Sequence, residues 1–592
     1  MSHAGSLALA SALVLAASAR AQLTEVYHST LPGLAFRTAA QAGTGEFYVA
    51  GGQLSTGGSG YDPTLVRIEA DGSIAWSRSW SVVTNGAVSA EAVGLAPSGN
   101  AIWVAAANEF PHGVRMLCWD TAGNLQWAGD SFVTDMTGSV VARRVVFDPA
   151  GNGYVLGRRA PTPPELGSDL VLLSWAPTGA FRFARTISGD PNDSDTGVDF
   201  ATDAAGNVCL VGILNGGGTA GYGQMLVAKV DPNDNLLWTR TFSGTAGLHG
   251  RGLGLDASGN VFVCANSGLL NEIVTYKLDP AGNTLWSQFH PNGVQTEVSD
   301  LVVDASGGVV VLASETPGPT GLTQPILVSY DAAGILRWTR AWSSPVAQDF
   351  LAQSIGIGAG GTIEFDVLWS TAPQGSSFAG LVRYDADGTL RGSLLSVLPG
   401  NGNRSFAAST PQGDVVFAAN RTLLTGAVLT HALRARDTWS LGCPGDGSGA
   451  ACPCASATAT AHGCPNSAFA GGALLRATGF PSVGADTFQL VAEAMTGASS
   501  VFFQGSDALA PAIVDDGLGC VGGSIVRLGT KAVAAGTSAY PAPGDTSISV
   551  RGAIPPAGAT RHYQVFYRNA AASFCPPATS NRTNSVAVVW GS

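Results

Sequence analysis

Two short apolar phrases alternate along residues 40–440, separated by turns of small and polar residues. In the first phrase a Gly-containing turn precedes an apolar run, as in DASGNVFVCA from Asp256 and DASGGVVVLA from Asp304. In the second, an apolar run leads through an Asp turn to an aromatic residue, as in LVAKVDPNDNLLW from Leu226. The runs are rich in β-branched and aliphatic residues and too short for helices, and Asp and Gly suit tight turns. Each phrase therefore predicts a β-hairpin.

The hairpins recur as a repeat of about 50 residues, marked by one glycine in each first-phrase turn. These turn glycines are Gly99, Gly151, Gly206, Gly259, Gly307, Gly360 and Gly413. Two hairpins per repeat predict a four-stranded sheet, which buries both faces only by stacking on its neighbours around an axis. The segment TEVYHSTLPG from Thr24 has the pattern of a fourth strand and is expected to complete the last sheet. The fold class is therefore all-β, an eight-bladed β-propeller, with seven blades as the alternative.

An aromatic residue closes most copies of the second phrase, at Trp76, Trp127, Phe183, Trp238, Trp286 and Trp338. Gly392 occupies this place in the last copy. Side chains repeated once per blade are best explained as packing residues between blades, and stacking on a ligand is the less favoured alternative.

The phrases LVAKVDPNDNLLWTRTFSG and GLGLDASGNVFV resemble the bacterial SBBP-type β-propeller repeat. The spacing at which an Asp is followed first by a Gly or Asn and then by a Trp is also similar to that in the tryptophan-docking turns of PQQ-type propellers. The resemblance covers about residues 22–440. It implies the fold but no single function, because such repeats occur in proteins with many roles.

The composition changes near residue 440, where a Cys-, Gly- and Ala-rich segment is followed by short alternating runs. We therefore expect a propeller over residues 22–440 and a second domain over residues 441–592. Seven runs predict a β-sandwich: GALLRATGF, TFQLVAEAM, SSVFFQGS, SIVRLGTKAV, SISVRGAI, HYQVFYRN and NSVAVVWGS. This region resembles Cys-rich terminal modules of secreted proteins from planctomycete-type bacteria. Tyr540, Tyr563 and Tyr567 are candidates for an exposed carbohydrate-binding face, although a role in the sandwich core is favoured.

Six cysteines cluster in the second region: Cys443, Cys452, Cys454, Cys464, Cys520 and Cys575. An even, clustered set in an exported chain predicts disulfides, with 15 pairings open, and Cys452 and Cys454 are expected to have different partners. A zinc site is the less favoured alternative because no second close pair accompanies Cys-x-Cys. Cys118, Cys209 and Cys264 lie in apolar runs and are predicted to be buried thiols.

The N-terminus reads as an export signal. Leu7 to Ala17 is an apolar run that ends in a small-residue cleavage site before Gln22, which predicts a signal peptide over residues 1–21. No later run is long and apolar enough to predict a membrane span. Charged residues make up 12% of the 592 residues, the net charge is −12 and basic residues form no cluster, which argues against nucleic acid as a partner. The protein is therefore expected to be secreted or at the cell surface.

Charged residues recur at similar depth in the strands that precede the Gly turns: Glu91, Arg143, Arg144, Asp199, Arg251 and Asp300. At the centre of a propeller they would form a mixed-charge funnel for a polar or sugar-like ligand, although mutual salt bridging is favoured. The acidic run from Asp190 to Asp195 is a weak Ca²⁺ candidate without the full loop spacing of an EF-hand, and a solvated loop is favoured. No other cofactor is expected.

No nucleophile elbow, P-loop, dinucleotide fingerprint or paired-His metal motif occurs in the chain. The leading hypothesis is a non-enzymatic binding or interaction scaffold with a protein or polysaccharide partner. A carbohydrate-active enzyme that uses the axial carboxylates is an alternative. Such an enzyme needs two carboxylates about 5–9.5 Å apart, and Glu91, Asp199 and Asp300 come from different blades, so the sequence indicates no particular pair. A polysaccharide-binding or sorting role of residues 441–592 is a third.

Overall fold

The computed structural model describes residues 23–591 with gaps, and β-strands are the predominant regular secondary structure of these residues. The gaps are residues 33, 42–45, 55–60, 70–71, 81–88, 100, 109–112, 131–143, 160–166, 188, 190–193, 216–222, 245–246, 268–271, 292–293, 318–320, 344–348, 359–360, 372–375, 396–404, 410–414, 423–427, 438, 454–461, 479–480, 482, 485, 487 and 572–573. The predicted signal peptide lies outside the described residues, as do Arg143, Cys454, Gly360 and Gly413.

Among the described residues, thirty-two strands precede the predicted domain boundary. The first half are β1 (Leu23–Pro32), β2 (Leu34–Gln41), β3 (Phe47–Leu54), β4 (Tyr61–Ile68), β5 (Ile74–Ser79), β6 (Ser89–Leu95), β7 (Ala101–Asn108), β8 (Gly113–Asp120), β9 (Leu125–Asp130), β10 (Val145–Phe147), β11 (Gly153–Arg159), β12 (Asp169–Trp175), β13 (Phe181–Ile187), β14 (Thr196–Thr202), β15 (Val208–Leu214) and β16 (Gln224–Val230). The second half are β17 (Leu236–Phe242), β18 (Leu248–Leu255), β19 (Val261–Ser267), β20 (Glu272–Leu278), β21 (Thr284–Pro291), β22 (Gln295–Val303), β23 (Val309–Thr316), β24 (Gln324–Tyr330), β25 (Leu336–Ala341), β26 (Phe350–Ile357), β27 (Ile363–Thr371), β28 (Ser376–Tyr384), β29 (Leu390–Leu395), β30 (Ser405–Ser409), β31 (Val415–Thr422) and β32 (Val428–Asp437).

These strands form eight four-stranded sheets. Seven run in chain order from β2 to β29, and the eighth has the order β1-β32-β31-β30, so the N-terminal strand completes the last sheet as predicted. The first strand of each sheet contacts the first strand of the next, from β2 through β6, β10, β14, β18, β22, β26 and β30, and β30 contacts β2. This circle gives the region a β-propeller-like fold, and most of it forms one compact unit, Glu25–Leu390 and Leu394–Arg436.

The Asp turns form because one side chain replaces several water contacts of the backbone. In the turn between β20 and β21, Asp279 Oδ1 accepts the Asn283 amide at 2.8 Å and Oδ2 accepts Asn283 Nδ2 at 2.9 Å. Gly282 takes φ +82°, which is open to glycine at little cost. Asp234 takes the equivalent place between β16 and β17 with φ +68°, which Asp tolerates better than most residues.

The recurrent tryptophans join neighbouring sheets through these turns. Trp238 Nε1 donates to Pro280 O at 3.0 Å, and its ring covers Gly282, where an added Cβ would lie 2.7 Å from Trp238 Cδ2. Arg240 donates from Nε to Gly282 O at 2.8 Å, with its guanidinium carbon 5.7 Å from the Trp238 ring centroid. Equivalent indole N–H bonds to the next sheet are made by Trp76, Trp127, Trp286 and Trp338. Packing between sheets, predicted for these aromatics, is confirmed.

The second compact unit consists mainly of Asp437–Ser592, so the main division falls close to residue 440. Its elements are β33 (Trp439–Gly442), β34 (Leu474–Thr478), β35 (Gln489–Glu493), β36 (Ser499–Gly505), β37 (Asp507–Val514), β38 (Gly517–Gly522), β39 (Val526–Ala532), β40 (Ser538–Tyr540), α1 (Ile548–Arg551), β41 (Thr560–Arg568), β42 (Ser580–Arg582) and β43 (Ser585–Val589). A six-stranded sheet has the order β33-β43-β41-β36-β39 with β42 on β41, and a three-stranded sheet has the order β34-β35-β40. One hydrophobic core contains Leu490 of the smaller sheet and Phe502 and Val565 of the larger one.

One predicted strand of this region is wrong. The run SISVRGAI forms the helical turn α1, in which the Arg551 amide donates to Ser547 O and the Gly552 amide to Ile548 O. Ile548 is buried and Val550 is exposed, so the alternation that suggested a strand also fits one side of a single turn. The hairpin of β37 and β38 was not predicted from the sequence, because its Gly- and Ala-rich runs lack a strand pattern.

The predicted disulfide framework is present. Cys443 is bonded to Cys520 and Cys452 to Cys464, with Cα–Cα distances of 6.0 and 5.6 Å. Cys575 is also disulfide-bonded. Bonded sulfurs at these five positions rule out the zinc alternative for them, because zinc binds free thiolates. Cys118, Cys209 and Cys264 are free and buried, as predicted.

The three tyrosines considered for a carbohydrate-binding face lie in the core instead. Tyr540, Tyr563 and Tyr567 are all buried. Trp590 Nε1 donates to the Tyr563 hydroxyl at 2.8 Å, and that hydroxyl donates to Gln504 Oε1 at 3.0 Å. These rings therefore hold the second unit together, which was the favoured prediction.

Candidate functional site

Four candidate residues, Glu91, Asp199, Arg251 and Asp300, lie on the first strands, at the inner circle of the eight sheets, and Arg144 directly precedes β10. Each of Arg144, Asp199, Gly252, Asp300 and Ser354 stands three residues before the last residue of its first strand. The register agrees, since Asp199 pairs with Val211, Gly252 with Cys264 and Asp300 with Leu312, each the fourth residue of the second strand. We call these five residues the axial layer.

A β-bulge recurs just before this layer. In β6 the register skips Glu91, and in β18 it skips Arg251, so both are bulge residues. In β14 and β22 the skipped residues are Val198 and Ser299. The sequence placed the charged residues at one depth, whereas the structure divides them between two adjacent positions: Glu91 and Arg251 in the bulge, and Arg144, Asp199 and Asp300 in the axial layer. An inserted residue re-aims the side chains around it, which causes this division.

Asp199 joins three sheets. Its Oδ1 accepts the Phe200 amide at 2.9 Å and lies 2.8 Å from Arg144 Nη2, and its Oδ2 accepts the Leu253 amide of the next sheet at 2.9 Å. Arg144 also donates to Phe200 O at 2.6 Å. The predicted alternative of mutual salt bridging therefore describes this pair, with backbone amides added.

Asp300 has the same role two sheets further on. Its Oδ1 accepts the Leu301 amide at 2.8 Å, and the Ile355 amide of the following sheet also donates to the carboxyl. Burial, followed by the negative charge of Asp199, raises the pKa of Asp300 to about 7. The Asp300 carboxyl therefore has a neutral form accessible near neutral pH, beside a carboxylate that is paired with Arg144.

The bulge residues are directed differently. Arg251 Nε donates to Asn266 Oδ1 at 3.3 Å, and its Nη2 lies 3.5 Å from Glu297 Oε1. The side chain of Arg251 is 35% exposed and that of Glu297 is 67% exposed. Glu91 is buried in β6. The candidates thus do not form one cluster: Arg144, Asp199 and Asp300 come together, and Arg251 pairs with Glu297.

Three residues that contact the candidates or their strands were missed from the sequence. Asn266 binds β22 through its amide group, donating to Thr296 O and accepting the Val298 amide. Ser299 donates to Ala352 O at 2.9 Å across to the next sheet. Gly252 carries no side chain, and an added Cβ would lie 2.8 Å from Asp300 Oδ1. Their partners lie 30 or more residues away, so no local pattern marks them.

The predicted Ca²⁺ candidate is only partly described. Asp195 is fully buried, and its carboxylate accepts the amides of Gly189 at 2.6 Å and Asn215 at 3.0 Å. Asp190 and Asp193 lie outside the described residues. Within the described ranges no group of three or more His, Cys, Asp or Glu side chains is placed to hold a metal ion. The Asp195 carboxylate therefore holds the backbone at Gly189 and the backbone at Asn215 close together.

Comparison with known proteins yields structural neighbours only. No family model matches the chain, and no curated protein does so. The periplasmic gluconolactonase of Pseudomonas aeruginosa is 15% identical, with 59% of this chain and 95% of that chain covered and a TM-score of 0.37. A puromycin hydrolase is 14% identical, with 65% and 58% covered and a TM-score of 0.39. A Bacteroides caccae protein of unknown function is 15% identical, with 50% and 93% covered and a TM-score of 0.28. At these values no activity transfers to this chain.

Among the helices of the described residues, none has the length and apolar character needed to cross a membrane.

Proposed function

We propose that the protein is a non-enzymatic binding protein, secreted or at the cell surface, built as an eight-bladed β-propeller followed by a β-sandwich domain. Eight four-stranded sheets with a circle of first-strand contacts support eight blades rather than seven. A core shared by two sheets supports the sandwich. The disulfides and the N-terminal signal-like run support export, because disulfides persist in oxidising compartments.

The observation that carries this proposal is the way the axial carboxylates are used. Asp199 and Asp300 each accept two backbone amides, one of them from the next sheet. Carboxylates committed in this way hold the ring together, and re-aiming them toward a substrate would leave buried amides unpaired. We therefore infer that the main role of both carboxylates is to stabilise the fold.

The partner is a polar molecule that docks on the exposed charges around the inner circle. Arg144 is 49% exposed on its side chain, and Arg251 and Glu297 add a second exposed pair of opposite charge. Mixed charge without a dominant sign favours a hydroxyl-rich or zwitterionic partner, such as a polysaccharide or a protein surface, over a nucleic acid.

A thermal-shift screen of the full mature chain tests the proposal, with soluble polysaccharides, Ca²⁺ and PQQ as probes. A ligand that binds only the folded protein, at about 100 times its Kd, stabilises it by about 2.7 kcal/mol and raises the Tm. The shift should shrink in Arg251→Ala and persist in Arg527→Ala, which removes an exposed arginine of the second unit. A shift that both variants retain would move the site away from the inner circle.

A carbohydrate-active enzyme is the second candidate, and one observation favours it. Asp300, with its raised pKa, and Asp199, paired with Arg144, have the unequal environments that separate an acid from a base. This candidate predicts product release from a glycan panel, and loss of that product in both Asp199→Asn and Asp300→Asn when each variant keeps its fold. Absence of product from the wild type across the panel would remove it.

A further inference from the structure

Two carboxyl groups from different sheets converge on one dipeptide of β18. Asp199, from β14, reaches the Leu253 amide at 2.9 Å, and Asp300, from β22, lies against the neighbouring residue Gly252. Any side chain at Gly252 would meet Asp300, since an added Cβ would be 2.8 Å from its Oδ1 and 3.0 Å from the Leu301 amide nitrogen. Glycine at this position makes room for the second carboxyl.

The charges around this pair do not balance. Arg144, before β10, pairs with Asp199 at 2.8 Å, while Arg251 of β18 is directed to Asn266 and Glu297. From β19 the group that faces the pair is the Cys264 thiol, whose pKa burial raises. β26 carries no ionisable side chain, and Asp366 of β27 accepts the Ser354 amide and hydroxyl instead. Two carboxyls therefore share one close cation, Arg144.

We propose that Asp199 and Asp300 share one negative charge in the folded protein, with a proton held on Asp300. This proton stabilises the contacts of Asp300 in β22 with β18 and β26. Loss of the proton to solvent places a second negative charge beside Asp199 without a second cation. Repulsion then weakens the hydrogen bond from the Ile355 amide to Asp300 first, because Asp199 is held by its ion pair with Arg144 and Asp300 has no such close cation. The contacts between these neighbouring sheets are therefore more stable in mildly acidic solution than in alkaline solution.

The direction of the pH effect follows from the raised pKa of Asp300. The folded state holds its proton up to a pKa of about 7, whereas an exposed carboxyl loses it near 3.8. The stabilisation is therefore complete below the pKa of the exposed group and is lost as the pH rises through the folded value. Above that value both states are ionised, and the dependence levels off.

Hydrogen exchange of the full chain tests this pH dependence directly in β26, the strand whose Ile355 amide bonds to Asp300. In the wild type, the opening constant for peptides covering residues 350–357, corrected for intrinsic exchange, should rise by up to about tenfold per pH unit from pH 4.5 to 6.5 and level off above about pH 7. In Asp300→Asn it should stay nearly constant. Asp279→Asn, which changes an exposed turn carboxylate, should follow the wild type. The same slope in Asp300→Asn as in the wild type would overturn the proposal.

A second measurement keeps the proposal testable if Asp300→Asn does not fold. Infrared difference spectra of the wild type should show a protonated carboxyl signal that is lost with a midpoint near pH 7. Asp199→Asn removes the neighbouring charge, so this midpoint should move to lower pH. No protonated carboxyl signal at pH 6, or an unchanged midpoint in Asp199→Asn, would show that the two groups do not share a charge.

Discussion

Packing of the Trp238 ring on Gly282 contributes a measurable part of the free energy that holds two neighbouring sheets together. Gly282 and Gly259 have nearly the same backbone conformation, with φ +82° and +77°. They differ in surroundings: an added Cβ would lie 2.7 Å from Trp238 Cδ2 at Gly282, but 3.8 Å from its nearest neighbour, Pro280 Cγ, at Gly259. Alanine at the two positions therefore imposes the same backbone cost and a different packing cost.

The two costs can be separated. Alanine in the left-handed region costs about 1–2 kcal/mol, which both variants should lose from the free energy of unfolding. Gly282→Ala must also displace the Trp238 ring, which strains the indole bond to Pro280 O, and overpacking of this kind costs about 1–3 kcal/mol. Gly282→Ala should therefore be the less stable variant by about 1–3 kcal/mol.

Urea unfolding of the full chain, followed by tryptophan fluorescence, measures the difference, and Trp238→Phe introduced into both glycine variants provides the cross-check. Removing the indole should narrow the gap between the two glycine variants, because the clash partner is smaller. Equal stability of Gly282→Ala and Gly259→Ala would refute the role assigned to the docked tryptophan.

Further predictions concern the second unit. Cys443→Ala with Cys520→Ala opens a link across 77 residues and should lower the free energy of unfolding by roughly 4–5 kcal/mol, measured as a fall in the unfolding midpoint; reduction of the wild type, which opens every disulfide, should lower the midpoint further. Peptide mapping should join Cys575 to Cys454, the cysteine of the cluster that remains; a different partner would contradict the framework. Tyr563→Phe leaves Trp590 Nε1 and Gln504 Oε1 without their buried partner and should cost about 1–3 kcal/mol, more than Tyr540→Phe, whose hydroxyl donates to Thr546 O in a partly exposed place.

The hairpins and their stacking were predictable from the sequence because their signals are local. The Asp turn at Asp279 and the aromatic at Trp286 lie within one phrase, and the phrase recurs, so the copies support one another. The joint of β1 to the last sheet was predictable for the same reason, since a ring of repeats needs its missing strand. The run around Ile548 failed because a short apolar alternation fits a helical turn as well as a strand.

The arrangement of the axial layer was only partly predictable. Asp199 and Asp300 were found by counting from the turns, but the bulges that separate them from Glu91 and Arg251 leave no mark in the sequence. The partners that decide their chemistry, the Leu253 and Ile355 amides, belong to the next sheet, about 50 residues further along the chain. A side chain's role therefore follows from the stacking of sheets rather than from the neighbouring residues.

We infer that the axial carboxylates hold the ring together and do not catalyse a reaction, and the variant Asp199→Asn separates these two roles. The measurement combines the free energy of unfolding with product analysis on a glycan panel, for the wild type and the variant together. We expect no product from either protein and a stability loss of about 1.5–3 kcal/mol in the variant, the range for hydrogen bonds to a charged group. Product formed by the wild type and lost in an equally stable variant would show instead that Asp199 takes part in catalysis.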